Sequence, residues 1–319
     1  MKILYPTTYF FLKPFLKKYF NNVHLVDLAN VPAQGSVLLV ANHPNSFLDA
    51  LVIGTSIERP THFLARGDAF KKPWVANILR SYNMLPVFRV SEGKENVGKN
   101  LETFDECQQA LDENEMILIF GEGLCKNNWD LRPMKKGAAR IAFKAWESTG
   151  EASKLVVIPV GLTYQNFTGA AKSVVVQFGT PIQKTDFNNP SQLSAFSVEF
   201  NDLLHKQLSK LAYVNRTLKE KSKAQQKMEW VFQQAEKAQT NIIDHLNKPE
   251  NWLEAVDDSI SKPMKWQYLL VFPHFWLMRF ITSKLTENSV FYDSVLVGLT
   301  FFLMPFYWLT FFILLFYFI

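Results

Sequence analysis

At 319 residues the chain is long enough for one large domain, or for a domain of about 200 residues with smaller attachments. Its two cysteines, Cys107 and Cys125, exclude a disulfide framework and favour a reducing, cytosolic setting for the soluble part. The net charge of +5 is too small to indicate nucleic-acid binding, but it suits anionic lipids or phosphates. Because the sequence has no zinc-type Cys/His spacing and no long basic stripe, we expect neither a metal site nor a nucleic-acid partner.

The N-terminal segment, residues 1–22, predicts an amphipathic helix associated with a membrane surface. Aromatic and aliphatic residues are mixed there with Lys13, Lys17 and Lys18, and the small-residue cleavage site of a secretory signal is missing. Such a helix suits the anionic cytoplasmic leaflet. The alternative is an N-terminal helix that packs on its own domain.

The middle of the chain predicts an α/β fold with a largely parallel sheet and crossover helices. Short apolar, β-branched segments alternate there with helical periods. The predicted strands are Val37 to Ala41, His62 to Ala65, Leu85 to Val90, Met116 to Phe120, Leu155 to Val160 and Ser173 to Phe178. The predicted helices are Phe47 to Ile57, Pro73 to Tyr82, Asn96 to Asn114 and Gly137 to Ser148. In such sheets ligands bind where strands end and helices begin.

The first such junction reads NHPNSFLD, from Asn42 to Asp49. A histidine leaving a strand and an aspartate in the first turn of the next helix can meet, with the carboxylate accepting from one ring nitrogen. The other nitrogen is then free to act as a general base. In the competing interpretation, Asn42 or Ser46 caps the helix and His43 is merely exposed in a loop.

Two further junctions carry groups that suit a phosphate. Arg89 follows the apolar segment LPVF, where a guanidinium can hold a phosphate bidentately. FGEGL, from Phe120, is followed by RPMKKGAAR, from Arg132, which opens the next helix. Its glycines permit close backbone approach, and basic residues beside a helix N-terminus favour an anion.

In chain order, NHPNSFLD, LPVFR, FGEGL with RPMKKGAARIA, and the segment from Val157 to Tyr164 resemble the four sequence blocks of the glycerol-phosphate and lysophosphatidate acyltransferases. The resemblance spans about Val23 to Gly179 and implies a glycerol-phosphate-acyltransferase-like sheet. It implies transfer of a fatty acyl group from acyl-CoA or acyl-carrier protein to a hydroxyl, with no cofactor besides that co-substrate. The roles it implies are base for His43, orienter for Asp49, acceptor-phosphate binding for Arg89, Glu122 and Gly123, and acyl-pocket shaping for Pro159.

Two departures from the family pattern refine this expectation. Five residues separate His43 from Asp49 where four are usual, a variant that resembles fungal-type glycerol 3-phosphate/dihydroxyacetone phosphate acyltransferases and slightly favours glycerol 3-phosphate as acceptor. Lysophosphatidate and an amino-acid-containing lysolipid stay open as acceptors. The usual Phe-Pro-Glu-Gly-Thr-Arg block ends here in Cys125, so its phosphate-binding arginine is missing. We expect Arg132 and Lys135, rather than Lys126, to supply that charge.

Three rival functions stay open from the sequence. Cys125 suggests an acyl-cysteine intermediate activated by His43. A catalytically inactive protein would use the same basic residues only to bind membrane lipid. An acyl hydrolase would use the same base with water in place of the alcohol.

The C-terminal part predicts a membrane anchor. The acyltransferase domain is placed at 23–200, a helical cover or linker at 201–262 and the anchor at 263–319. The 26 residues from Ser294 to Ile319 carry no charge, and this length exceeds the roughly 20 residues needed to cross a bilayer as a helix. The segment from Trp266 to Ile281 predicts a second span, a re-entrant segment or an interfacial helix, with His274 and Arg279 reaching toward headgroups.

The anchor also bears on location and on the end of the chain. A membrane protein with its active site facing the cytoplasm is the expected arrangement. The missing charged flank at Ile319 is typical of a membrane domain that has been cut short.

Overall fold

A computed structural model describes residues 4–88, 98–187, 192–214, 221–238, 242, 272–286 and 289–318. The strands are β1 (Asn22–Val26), β2 (Val37–Ala41), β3 (Thr61–Arg66), β4 (Met84–Val87), β5 (Met116–Phe120), β6 (Val156–Tyr164) and β7 (Ser173–Phe178). The helices are α1 (Leu4–Tyr19), α2 (Phe47–Ser56), α3 (Pro73–Ser81), α4 (Asn100–Asp112), α5 (Lys136–Trp146), α6 (Leu193–Leu211), α7 (Lys221–Ala238), α8 (Phe272–Thr286) and α9 (Tyr292–Phe318).

The strands form one seven-stranded sheet in the order β1-β7-β6-β2-β5-β3-β4. Every neighbouring pair is parallel except β6 and β7, which are antiparallel. Parallel neighbours need a crossover of a dozen or more residues, whereas the short link from Tyr164 to Ser173 allows only a reversal. The predicted α/β class and the largely parallel sheet are therefore confirmed, with one antiparallel hairpin added.

The central strands are apolar at every position because helices cover both faces of the sheet. In β2, Val37, Leu39 and Ala41 lie in one core, and the intervening Leu38 and Val40 lie in the other. Side chains of a strand alternate between faces, so a doubly covered strand must be apolar throughout. The continuous apolar run that predicted β2 has this physical origin.

Most differences between predicted and observed elements lie at element ends. The helix predicted from Asn96 to Asn114 begins at Asn100 and ends at Asp112, and Asn114 takes a left-handed φ of 59° that stops it. Strand β6 runs on to Tyr164, past the predicted end at Val160. The edge strand β1 is absent from the predicted strands, because it is only five residues long and each of its residues is at least partly exposed.

Helix α1 packs on the domain through one face and exposes another. Leu12, Leu16 and Tyr19 are buried in the core that also contains α2 and α9. Phe10 and Phe11 are 72% and 58% exposed. The helix therefore combines the packed alternative with an apolar outer surface that suits a membrane.

Within the described part of the chain, one helix is long and apolar enough to cross a membrane by length and composition, and it covers Tyr292–Thr310 in α9. Its exposed side chains are large and apolar, including Phe302, Phe306 and Leu309. Helix α8 packs beside it. The expected reach of His274 toward headgroups is wrong, because its ring is buried against Tyr307 with Nε2 3.2 Å from the Thr300 carbonyl oxygen.

Candidate active site

The candidate site begins where β2 ends, at the centre of the sheet. The Asn42 side chain bonds to the backbone of Leu162 in β6, with its Nδ2 donating to the carbonyl at 3.0 Å and its Oδ1 accepting from the amide at 2.7 Å. These two bonds fix the point at which the chain leaves the sheet. Asn42 therefore anchors the loop to β6 instead of capping α2.

His43 and Asp49 are brought together by the loop from β2 to α2. His43 Nδ1 lies 2.8 Å from Asp49 Oδ2, and the Asp49 side chain is fully buried. A carboxylate can only accept, so Nδ1 carries the proton and Nε2 is left with a free lone pair. The imidazole stacks on Phe120, with ring centroids 3.8 Å apart, and the side chain stays 15% exposed.

The start of α2 holds the Asp49 carboxylate in place. Asp49 Oδ2 also accepts the backbone N–H of Asn45 at 2.8 Å, and a carboxylate in the first turn of a helix is favoured by the helix dipole. Ser46 takes a positive φ of 54° and makes no side-chain capping bond. The rival interpretation, with Ser46 as a cap and His43 loose, does not describe this loop.

The block after β5 lies beside this pair. Glu122 is buried and forms an ion pair with Arg132, and burial raises the pKa of Glu122 to about 7 although Arg132 acts to lower it. Arg132 Nη2 also donates to the carbonyl oxygens of Leu124 at 2.7 Å and His43 at 3.4 Å. Arg132 therefore connects the block after β5 to the loop that carries His43.

Gly123 and Lys135 lie next to each other at the mouth of the block. Gly123 has a φ of +64°, and a Cβ there would come within 3.0 Å of Lys135 Cγ. The positive φ strains any other residue, and the close contact with Lys135 also favours glycine at this position. Lys135 is exposed and immediately precedes α5, so it lies at the end of the helix whose free N–H groups favour an anion.

The remaining predicted site residues lie elsewhere. Arg89 is outside the described residues. Pro159 lies in the middle of β6, opposite Val40 of β2, and its carbonyl accepts the N–H of Gly179. Among the residues that the structure describes, no group of three or more His, Cys, Asp or Glu side chains is suited to a metal ion.

Cys125 lies against the same loop but is poorly suited to act as a nucleophile. Its Sγ accepts the backbone N–H of Ser46 at 2.8 Å. Burial, together with the nearby charge of Asp49, raises the pKa of the Cys125 thiol to about 12. Because the thiolate is the reactive form, the geometry gives the acyl-cysteine route little support.

Four buried polar residues near Asp49 escape sequence-based prediction: Asn45, Tyr164, Lys172 and Asp293. Tyr164 is fully buried; burial raises its pKa well above the usual range, and the charges of Asp49 and Asp293 raise it further. Lys172 and Asp293 form a buried ion pair although they are far apart in the sequence. The sequence contains only two signals for this ion pair: Lys172 is a single lysine before an apolar strand, and Asp293 is a single aspartate at the start of a long apolar helix.

An imidazole oriented by a buried carboxylate, at the carboxyl ends of central parallel strands, defines a site for general-base chemistry. Residues 22–163, which include both His43 and Asp49, match the model of the Acyltransferase family. The protein is an acyltransferase.

Other comparisons add less. Among solved structures, the chain is similar to the 1-acyl-sn-glycerophosphate acyltransferase PlsC from Thermotoga maritima, with 18% identity and a TM-score of 0.45. The match covers 65% of this chain and 80% of that one. No curated protein matches the chain.

Proposed function

We propose that this acyltransferase moves a fatty acyl group from acyl-CoA or acyl-carrier protein to a hydroxyl of lysophosphatidate or glycerol 3-phosphate, with His43 as general base. The observation that carries the proposal is the 2.8 Å contact between His43 Nδ1 and the buried Asp49 carboxylate. It leaves Nε2 as the ring nitrogen that can accept a proton, and the His43 side chain is 15% exposed.

In the proposed reaction, Nε2 of His43 takes the proton of the acceptor hydroxyl as its oxygen attacks the thioester carbonyl. The tetrahedral intermediate then expels the thiolate, which takes the proton from the imidazolium and leaves as the free thiol. Asp49 stabilises the imidazolium formed between these steps. No covalent acyl-enzyme is needed.

The phosphate of the acceptor is assigned to the basic residues after β5. Lys135 is exposed beside Gly123, and in the described part of the chain no salt bridge engages it. Arg132 borders the same region but already serves Glu122, Leu124 and His43. Lys135 is therefore the better supported phosphate ligand, with Arg132 and Glu122 shaping the loop and Arg89 retained as a further candidate.

An apolar cavity supports a long acyl chain as the transferred group. The cavity has a volume of about 270 Å³ and lies among α1, α2, α3 and α9. Helix α2 contributes Phe47 and Leu51 to its wall, on either side of Asp49 in sequence. Other lining residues are Tyr9, Leu12, Phe63, Leu79 and Phe301. Pro159, expected to shape the acyl pocket, is not among the lining residues.

The exposed apolar surfaces of α1 and α9 support a location at a membrane. Phe10 and Phe11 of α1 and the large side chains of α9 present exposed apolar surface, which monomeric soluble proteins rarely expose in quantity. We propose that the domain lies on the membrane with α9 as an anchor and with the site on the cytoplasmic side. Acceptor and product lipids then reach the site from the leaflet.

The test is an assay of membranes that contain the wild-type chain, His43→Ala or His62→Ala. Labelled acyl-CoA and acyl-carrier protein are offered with each acceptor, and the lipid products are resolved. His62 is a matched control, because it also pairs with a carboxylate, Glu115, at the start of β5. Acylated product from wild type and His62→Ala but not from His43→Ala supports the proposal.

Three other outcomes would count against it. Equal product from His43→Ala removes His43 as the base. Free fatty acid in place of acylated acceptor favours a hydrolase. No product with any pair, together with lipid binding that survives His43→Ala, favours an inactive lipid-binding protein.

A further inference from the structure

A buried ion pair lies behind the candidate base. Lys172 Nζ pairs with Asp293 Oδ2, and both side chains are fully buried. Lys172 belongs to the link between β6 and β7, and Asp293 lies in the first turn of α9. The general-base reaction described above uses neither residue directly.

Asn45 connects this pair to the general-base site. Its backbone N–H donates to Asp49 Oδ2 at 2.8 Å, and its side-chain Nδ2 donates to Asp293 Oδ2 at 3.2 Å. The same Nδ2 lies 3.2 Å from the carbonyl oxygen of Phe167 in the link between β6 and β7. One asparagine therefore contacts Asp49 through its backbone and Asp293 through its side chain.

Asp293 is held from several sides. Its Oδ1 accepts the backbone N–H of Gly169 at 2.7 Å, while Oδ2 accepts from Asn45 and Lys172. The next residue, Ser294, accepts the backbone N–H of Leu48 in α2 through its Oγ at 3.2 Å. The start of α9, the link between β6 and β7 and the loop with His43 are thus joined at one point.

A buried ion pair is a costly way to attach a helix, since apolar side chains of similar volume would attach it as well or better. What a hydrogen-bonded polar cluster adds is a defined arrangement of the groups that it contacts. Here those groups include Asn45, whose N–H fixes the Asp49 oxygen that orients His43. The free-energy cost of the buried ion pair is explained if acyl transfer depends on the orientation of that oxygen.

We propose that Asp293, paired with Lys172, is a positioning residue for the acyl transfer: it fixes Asn45, and through the Asn45 N–H it fixes the Asp49 carboxylate and the direction of His43 Nε2. The inference rests on the proposed function of His43. It also makes the base dependent on the seating of α9, because Asp293 reaches Asn45 only from the start of that helix.

The first test compares Asp293→Ala with Thr300→Ala. Thr300 is a control on the same helix, buried but located beside α8. We expect Asp293→Ala to lower kcat by about 10²-fold, the effect of a misplacement of about 1 Å, with KM for the acyl donor unchanged. Thr300→Ala should keep the wild-type kcat. Wild-type kcat in Asp293→Ala would overturn the proposal.

A second variant separates positioning from folding. Lys172→Met combined with Asp293→Leu replaces the ion pair by apolar side chains of similar volume, a change that is often neutral or stabilising. The acceptor of the Asn45 side chain is lost all the same. We expect near wild-type thermal unfolding together with the lowered kcat. Wild-type kcat in this folded double variant would overturn the proposal.

A third measurement is independent of the acceptor and of turnover. Diethyl pyrocarbonate carbethoxylates a neutral imidazole, and the rate at His43 can be followed by peptide mass spectrometry. If Asp293 holds Asp49 in the position that keeps Nδ1 of His43 protonated and Nε2 free, the rate of carbethoxylation at His43 falls in the double variant. An unchanged rate, or a rise from simple loosening, would overturn the proposal. Absence of acyl transfer by wild type would instead refute the proposed function, and the carbethoxylation rate would still decide the role of Asp293.

Discussion

Replacing Asp49 by asparagine tests the charge behind the candidate base. Both of its strong hydrogen bonds, to His43 Nδ1 and to the Asn45 N–H, end on the same oxygen, Oδ2. An asparagine can present its single carbonyl oxygen at that position, so Asp49→Asn keeps the geometry and removes the negative charge. The experiment therefore isolates stabilisation of the imidazolium.

The size of the effect follows from the geometry. The contact of 2.8 Å places the two charge centres about 4 Å apart, and Asp49 is fully buried. At an effective dielectric constant of about 20, the attraction is about 4 kcal/mol. Lost from the transition state, that amount lowers kcat by about 10³-fold. KM for both substrates should change little, because the charge acts only after proton transfer.

The assay measures kcat and KM for wild type, Asp49→Asn and Asp105→Asn, with thermal unfolding as a check on folding. Asp105 is a control, since it is a largely exposed aspartate that pairs with Lys144 on the surface. A kcat for Asp49→Asn within about tenfold of wild type, with His43→Ala inactive, would refute the reasoning, because the carboxylate charge would then contribute less than about 1.4 kcal/mol.

Three further predictions concern the block after β5. Cys125→Ala should keep wild-type kcat, because with a pKa of about 12 only on the order of 10⁻⁴ of the thiol is ionised at pH 8; a trapped acyl-protein that disappears in the variant would contradict this. Lys135→Ala should raise KM for the phosphate-bearing acceptor by about tenfold or more, the loss of one charge-assisted bond, while Lys144→Ala does not; equal KM values would remove Lys135 from the site. Folding raises the pKa of Glu122 from 4.5 to about 7, so the contribution of Glu122 to the free energy of unfolding falls as pH rises between these values, by at most about 3 kcal/mol. Urea unfolding at pH 5 and pH 8 should show this loss of stability in wild type but not in Glu122→Gln.

The contact between His43 and Asp49 could be predicted from the sequence because it depends on local geometry. His43 leaves an apolar strand, and Asp49 falls in the first turn of the helix that follows. A single loop and one helical turn suffice to bring them together, whatever the rest of the fold does. The spacing of five residues is accommodated by the positive φ of Ser46, which turns the chain into α2.

The sequence identifies Arg132 and Lys135 as candidate phosphate ligands after β5, but it does not decide between them. Arg132 and Lys135 both precede α5 in sequence, and either suits a phosphate there. The structure turns Arg132 inward to Glu122 and leaves Lys135 exposed. Which cation is engaged depends on a buried carboxylate, and burial of Glu122 follows from packing that the sequence pattern does not report.

What the sequence by itself determined is the sheet class, the central strands and the loop with His43 and Asp49, because apolar periodicity and short-range spacing encode them. The tertiary structure alone decided the antiparallel β7, the edge strand β1 and the contact of Lys172 with Asp293. A lysine and an aspartate separated by more than one hundred residues read as solvated charges until the fold buries them together. Only the packing of α9 against the hairpin removes the water around them, and that packing brings Asp293 into contact with Asn45.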